Sequence, residues 1–128
     1  MIFIELVSLL AVSQYLAFGM LVARARGQYK VAAPAMTGPE GFERMVRVQA
    51  NTLELLVAFL PALWLAAQHA SPALMAGLGA IYLLGRVIYL RAYLSKPSSR
   101  ALGFSLSFFP ICVLIGVGLF GVARQLLG

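Results

Sequence analysis

Arg44, Arg47, Asn51 and Glu54 recur at i, i+3, i+7 and i+10, a spacing that puts all four on one face of a helix. Arg47 and Glu54 would stand ~10 Å apart along that helix, at ~1.5 Å per residue, too far for a simple ion pair. A row of that length suits an extended ligand bearing both acidic and basic groups; solvated charges on a surface helix are the plainer alternative. A second row, Tyr82, Arg86, Tyr89 and Tyr93, follows at i, i+4, i+7 and i+11. Arg26, Arg47, Arg86 and Arg100 can grip carboxylates, because the guanidinium fork matches them bidentately. Glu54 can hold an amino group, Asn51 and Gln49 can bond amides, and Tyr89 and Tyr93 add hydroxyl donors. A small peptide with two carboxylates and one ammonium fits this inventory. Glycine-rich phosphate loops, Ser-His-Asp sets and HExxH patterns are absent from the chain. His69 is the only histidine. It has no second ligand at metal spacing and reads as an interfacial residue, so no metal is expected.

These side chains must be positioned by elements suited to lipid. Of the 128 residues, 62% are hydrophobic and 11% charged, against about a quarter charged in soluble domains. The apolar excess is gathered in stretches long enough to cross a bilayer, which makes the chain an integral membrane protein. The expected fold is an all-α membrane bundle of four transmembrane helices at about 1–25, 42–69, 72–94 and 99–126, forming one domain over 1–128. The first stretch has neither a positive leading region nor a small-residue cleavage site, so it reads as a helix, not a secretory signal. Arg24 to Gly41 reads as the first connection, with Thr37-Gly38-Pro39 as its closing turn. Pro61 and Pro110 should bend the second and fourth helices. Gly77, Gly79, Gly85, Gly116 and Gly118 offer close-packing positions, and Ser98 or Ser99 is the expected N-cap of the fourth helix. Cys112, mid-way along that helix, reads as a buried, inert thiol. The row that contains Arg86 should face protein or a wet cavity, because an arginine facing lipid costs ~2.5–3.5 kcal/mol even on lenient insertion scales.

The net charge of +6 does not point to nucleic acid. Arg24, Arg26, Lys30, Arg44, Arg47, Arg86, Arg91, Lys96 and Arg100 lie in or beside two connections, and only Arg124 lies elsewhere. That asymmetry is the positive-inside pattern. It predicts both termini away from the cytoplasm, in an inner, plasma or endoplasmic-reticulum-type membrane. The Arg47 row, the Tyr89 row and Arg100 then converge at the cytoplasmic face.

Phe42-Glu43-Arg44-x-x-Arg47-x-Gln49-x-Asn51-x-x-Glu54 resembles the signature of the MAPEG superfamily, the membrane-associated proteins in eicosanoid and glutathione metabolism. Arg86-x-x-Tyr89-x-x-x-Tyr93 and Arg100 resemble its glutathione transferase and leukotriene C synthase branch, and the likeness covers essentially the whole chain. The resemblance implies a homotrimer of four-helix subunits with glutathione bound between neighbours. Arg47, Asn51, Glu54, Tyr89 and Tyr93 would come from one subunit and Arg26 and Gln49 from the next, with Arg100 the catalytic residue at the sulfur. It further implies a glutathione-dependent transferase or peroxidase acting on a lipophilic substrate drawn from the membrane lipid. Leu55 stands where glutathione-binding members often carry tyrosine, and Gly27 where the leukotriene synthase has a second arginine. These departures favour conjugation or peroxide reduction over a named eicosanoid reaction. A non-catalytic lipid-binding scaffold of the same family is the alternative. A small multidrug exporter would need a carboxylate midway along the first helix, where Gln14 is the nearest polar residue.

Overall fold

A computed structural model describes residues 1–128 and is all-helical. The helices are α1 (Ile2–Tyr29), α2 (Glu40–Ala67), α3 (Pro72–Ser95) and α4 (Ala101–Leu127), with a single 3₁₀ turn, Pro97–Ser99, leading into the last. Each of the four is long and apolar enough to cross a membrane. α2 and α3 pack against each other and against both remaining helices, while α1 and α4 flank them. The outer surfaces carry Leu9, Met20, Val57 and Phe109 largely exposed. Such a surface would drive aggregation in water and is matched to lipid.

The ends of the helices differ from the sequence expectation in ways that matter. α1 continues to Tyr29, so Arg24 and Arg26 sit on its last turns and not in a connection. Gly27 does not stop it; the helix closes at Lys30, whose left-handed backbone (φ 56°) lets its N–H bond back to the carbonyl of Arg26. Neither Ser98 nor Ser99 caps α4. Arg100 is the N-cap and makes no side-chain cap bond, because the preceding serines are folded into the 3₁₀ turn, where Ser99 Oγ donates to the carbonyl of Lys96 at 2.7 Å. Ser71 does cap α3, accepting from the N–H of Leu74. α2 and α4 each run as one uninterrupted helix through Pro61 and Pro110.

The interior is built in three levels. One apolar cluster joins Ile4, Val7 and Ala11 of α1 to Phe59 and Leu63 of α2, Met75 and Tyr82 of α3, and Ile111 and Leu114 of α4. A second joins Phe18 and Val22 to Phe42, Met45, Val48 and Tyr89, at the end where the basic residues gather. Between them lies a polar layer of Gln14, Asn51, Thr52, Arg86 and Ser107. Gln14 Nε2 donates to the carbonyl of Leu83 at 2.9 Å, and Arg86 is fully buried in the same layer.

Glycine makes the α3–α4 crossing possible. A Cβ on Gly85 would stand 2.7 Å from the backbone nitrogen of Ser107, and one on Gly103 would collide with the backbone of Tyr89. Gly79 is likewise pressed on Val7 and Phe59, whereas Gly77 and Gly116 face open space. Only part of the expected glycine set therefore serves close packing inside one chain. Cys112 is exposed, on the outer face of α4 and not in the core. A mid-helix position fixes its depth, but the rotation of the helix decides its exposure.

Candidate functional site

The residues of the two rows do not all meet in one place. Asn51 of α2, Tyr89 of α3, and Arg100, Ala101 and Phe104 at the start of α4 line an open cleft of ≈ 460 Å³, with Ser98 at its rim. A smaller cleft of ≈ 200 Å³ is lined by Glu40, Glu43, Arg44, Arg47, Tyr93 and Pro97. The rings of Tyr89 and Tyr93, 5.5 Å apart between centroids, connect the two. Arg47, Asn51, Tyr89, Tyr93 and Arg100 are thus brought together along one side of the bundle, between α2 and the α3–α4 pair.

Arg26 and Gln49 lie elsewhere. Arg26 donates to the carbonyl of Ala35 at 2.7 Å and lies over the ring of Phe42, holding the first connection against the end of α1. The amide nitrogen of Gln49 lies 3.0 Å from where a Cβ on Gly19 would stand, so Gln49 is turned to α1, away from the cleft. The chain therefore presents two separate sets of polar side chains on different sides.

Within the Arg44–Glu54 row, the members have different fates. Arg44 is tied down, donating to the carbonyl of Leu94 at 3.1 Å and forming an ion pair with Glu40. Arg47 and Glu54 are exposed and have no ionic partner in the chain, where the Arg44–Glu40 pair is the single salt bridge. Arg100 is also exposed; one guanidinium nitrogen donates to the carbonyl of Pro97 at 3.0 Å, which steadies the side chain beside the cleft. Glu54 is at mid-length of α2, where an unpartnered carboxylate facing lipid is costly.

Arg86 is the site candidate that the structure places wholly inside. Its Nε donates to Ser107 Oγ at 2.8 Å, and its Nη1 to Asn51 Oδ1 at 2.8 Å and to Thr52 Oγ1 at 3.2 Å. The guanidinium carbon stands 4.4 Å from the centroid of the Tyr89 ring, within cation–π range. Thr52 and Ser107 were not singled out by the sequence reading. Two signals were there to be used. Thr52 adjoins Asn51 in the row, and Ser107 follows Arg100 by seven residues, two turns along the same helix face.

The arrangement can bind anions, through exposed guanidinium groups at an open cleft, and can supply phenolic and amide hydrogen bonds beside them. The chain has relatives among known proteins. The model of the MAPEG family matches residues 4–120. An uncharacterized protein of Synechocystis sp. is 44% identical over 94% of this chain and 88% of its own length. Human microsomal glutathione S-transferase 2 is 35% identical over 98% of this chain and 86% of its own. Leukotriene C4 synthase of Cavia porcellus is 31% identical over 94% and 81%.

Proposed function

The chain belongs to the MAPEG family, and from that premise we propose that it is a glutathione-dependent membrane transferase or peroxidase, with lipophilic electrophiles or lipid hydroperoxides as its second substrates. The observation that carries the reading is the cleft in which Asn51 and Tyr89 lie beside the exposed Arg100, with Arg47 and Tyr93 next to it. The donor set matches glutathione in chemistry. Arg47 and, from a neighbouring subunit, Arg26 hold its carboxylates, and Glu54 holds its ammonium. Asn51, Gln49, Tyr89 and Tyr93 bond the remaining polar groups. Glutathione supplies the sulfur nucleophile. Arg100 stands over the sulfur and stabilises its anionic form, so that the thiol proton leaves to solvent without a dedicated base.

The separation of Arg26 and Gln49 from the Asn51 cleft supports a site shared between subunits of a homotrimer. So does the state of Arg47 and Glu54. Both are charged, exposed and unpaired in one subunit, and burial against a neighbour with a zwitterionic ligand would satisfy both.

Calorimetry on detergent-purified protein, paired with turnover of a chlorodinitrobenzene probe, tests the proposal. Saturable binding of glutathione is expected, weakened sharply by Arg47→Ala or Glu54→Ala while the oligomer still elutes at wild-type size. Binding without turnover of the probe or of a lipid hydroperoxide would assign the chain to the non-catalytic, lipid-binding alternative. Absence of binding to the wild type would overturn the glutathione reading.

A further inference from the structure

The acceptors that bond the buried Arg86 can each be assigned, although its Nη2 and the neighbouring Tyr82 hydroxyl are left without a partner. The Thr52 hydroxyl proton goes to the carbonyl of Val48 at 2.8 Å, and the Ser107 proton to the carbonyl of Gly103 at 2.7 Å. Both hydroxyl oxygens are thereby left to accept from Arg86, as they do. Asn51 completes the set through Oδ1. A guanidinium has donors only, so the Asn51 amide has one orientation available while Arg86 is in place: oxygen inward, NH₂ away from the arginine. Asn51 is part-exposed and lines the cleft, so the group it offers there is a donor pair. Free rotation about the last torsion of an asparagine would otherwise let it present either end.

We infer that Arg86 is a positioning residue. From inside the bundle it fixes the Asn51 amide as a hydrogen-bond donor toward the cleft, so that Asn51 selects an acceptor, a carbonyl or carboxylate oxygen of the ligand. Arg86 does not itself meet the ligand: it is fully buried, and its Nε and Nη1 bonds span α2, α3 and α4. The identification of that ligand as glutathione rests on the function proposed above; the orientation of the amide does not.

Asn51→Asp tests the orientation with Arg86 untouched. One aspartate oxygen takes over the bond to Arg86 and the other faces the cleft as an acceptor. Glutathione affinity should fall on the order of tenfold or more below that of Asn51→Ala, because an acceptor then faces an acceptor. Affinity of Asn51→Asp equal to or above that of Asn51→Ala would overturn the proposal. Arg86→Lys supplies the second arm. It should weaken glutathione binding in the wild-type background and leave it unchanged in Asn51→Ala, the non-additivity expected of two groups acting as one. A purely structural arginine would lower binding by the same factor in both backgrounds, and that result would count against a positioning role. If the wild type binds no glutathione, the functional reading fails. The same cycle followed by thermal unfolding then decides the Arg86–Asn51 linkage, which requires Arg86→Lys to lower the midpoint less in Asn51→Ala than in the wild type.

Discussion

At the scale of single residues, Arg100 carries the sharpest prediction. A free thiol of pKa ~8.5 is only a few per cent ionised at neutral pH. Lowering it by ~2 units needs ~2.7 kcal/mol of preference for the anion, at ~1.36 kcal/mol per unit. One charge-assisted hydrogen bond supplies ~1.5–3 kcal/mol, and the N-terminus of α4, which Arg100 caps, adds ~0.3–1. On the proposed function, Arg100→Ala should keep most of the glutathione affinity and lose the ultraviolet absorbance of the bound thiolate. The sign for pH follows directly. Removing a cation raises the pKa of an acid, so the rate profile should move to the alkaline side and the mutant should recover activity as pH rises. Full thiolate absorbance at neutral pH in Arg100→Ala would remove Arg100 from that role. The row of Arg44, Arg47, Asn51 and Glu54 was legible from spacing alone, because a single helix sets it. What its members do was not. The rotation of α2 leaves Arg47 and Glu54 outside, turns Asn51 to the cleft and ties Arg44 to α3, and those outcomes depend on the other three helices. Thr52 and Ser107 stayed hidden because a threonine or serine in an apolar helix ordinarily satisfies itself on its own i−4 carbonyl. Both do so here, and still accept from Arg86.

At the scale of elements, the α3–α4 crossing invites a paired test. Gly85→Ala would place a methyl 2.7 Å from the Ser107 nitrogen. It should cost about 1–3 kcal/mol of overpacking, offset in part by the better helix propensity of alanine, and it should disturb the Arg86–Ser107 bond. Gly77→Ala meets nothing within 4 Å and should be neutral or slightly stabilising. Thermal midpoints of both variants in one detergent make the comparison. A loss at Gly77 instead of Gly85 would mean that the Gly77 face, not the Gly85 crossing, is the tight one in the assembled protein. The number of spans and the order of the helices could be read from the apolar runs because membrane length imposes them. Helix ends could not be read to the residue. Arg24 was expected to begin a connection, yet charge alone does not break a helix, and α1 ends where Lys30 adopts the left-handed conformation. The serines before α4 had the composition of a cap but were taken up by a 3₁₀ turn begun at Pro97. Glycine spacing marked candidates for close packing without saying which neighbours would meet them, so Gly85 and Gly79 held while Gly77 did not, and Gly103 went unmarked.

At the scale of the whole molecule, the orientation expected in the bilayer rests on where charge and cleft coincide. Contacts join the C-terminal end of α1, the N-terminal end of α2, the C-terminal end of α3 and the N-terminal end of α4. Arg26 lies on Phe42, Arg44 bonds Leu94, and Gly103 packs on Tyr89. The basic residues of both connections and the cleft are therefore at one end of the bundle. The opposite end holds Arg124, His69 and Glu5, with Met1 and Gly128 beyond. Short connections rich in lysine and arginine are retained on the cytoplasmic side. On that rule the Asn51–Arg100 cleft should open to the cytoplasm, where a water-soluble, anionic ligand could reach it, while the apolar outer faces of the helices meet the bilayer that would deliver a lipophilic one. The expected outcome is specific. A C-terminal fusion to a reporter that works only in the cytoplasm should be silent, and a fusion to one that works only across the membrane should be active. Moving the first reporter into the connection between α3 and α4, beside Lys96, should restore its signal. A cytoplasmic signal from the C-terminus with silence from the Lys96 position would invert the bundle and put the cleft on the far side of the membrane. A cytosolic supply of ligand would then be ruled out as the reason for its charge.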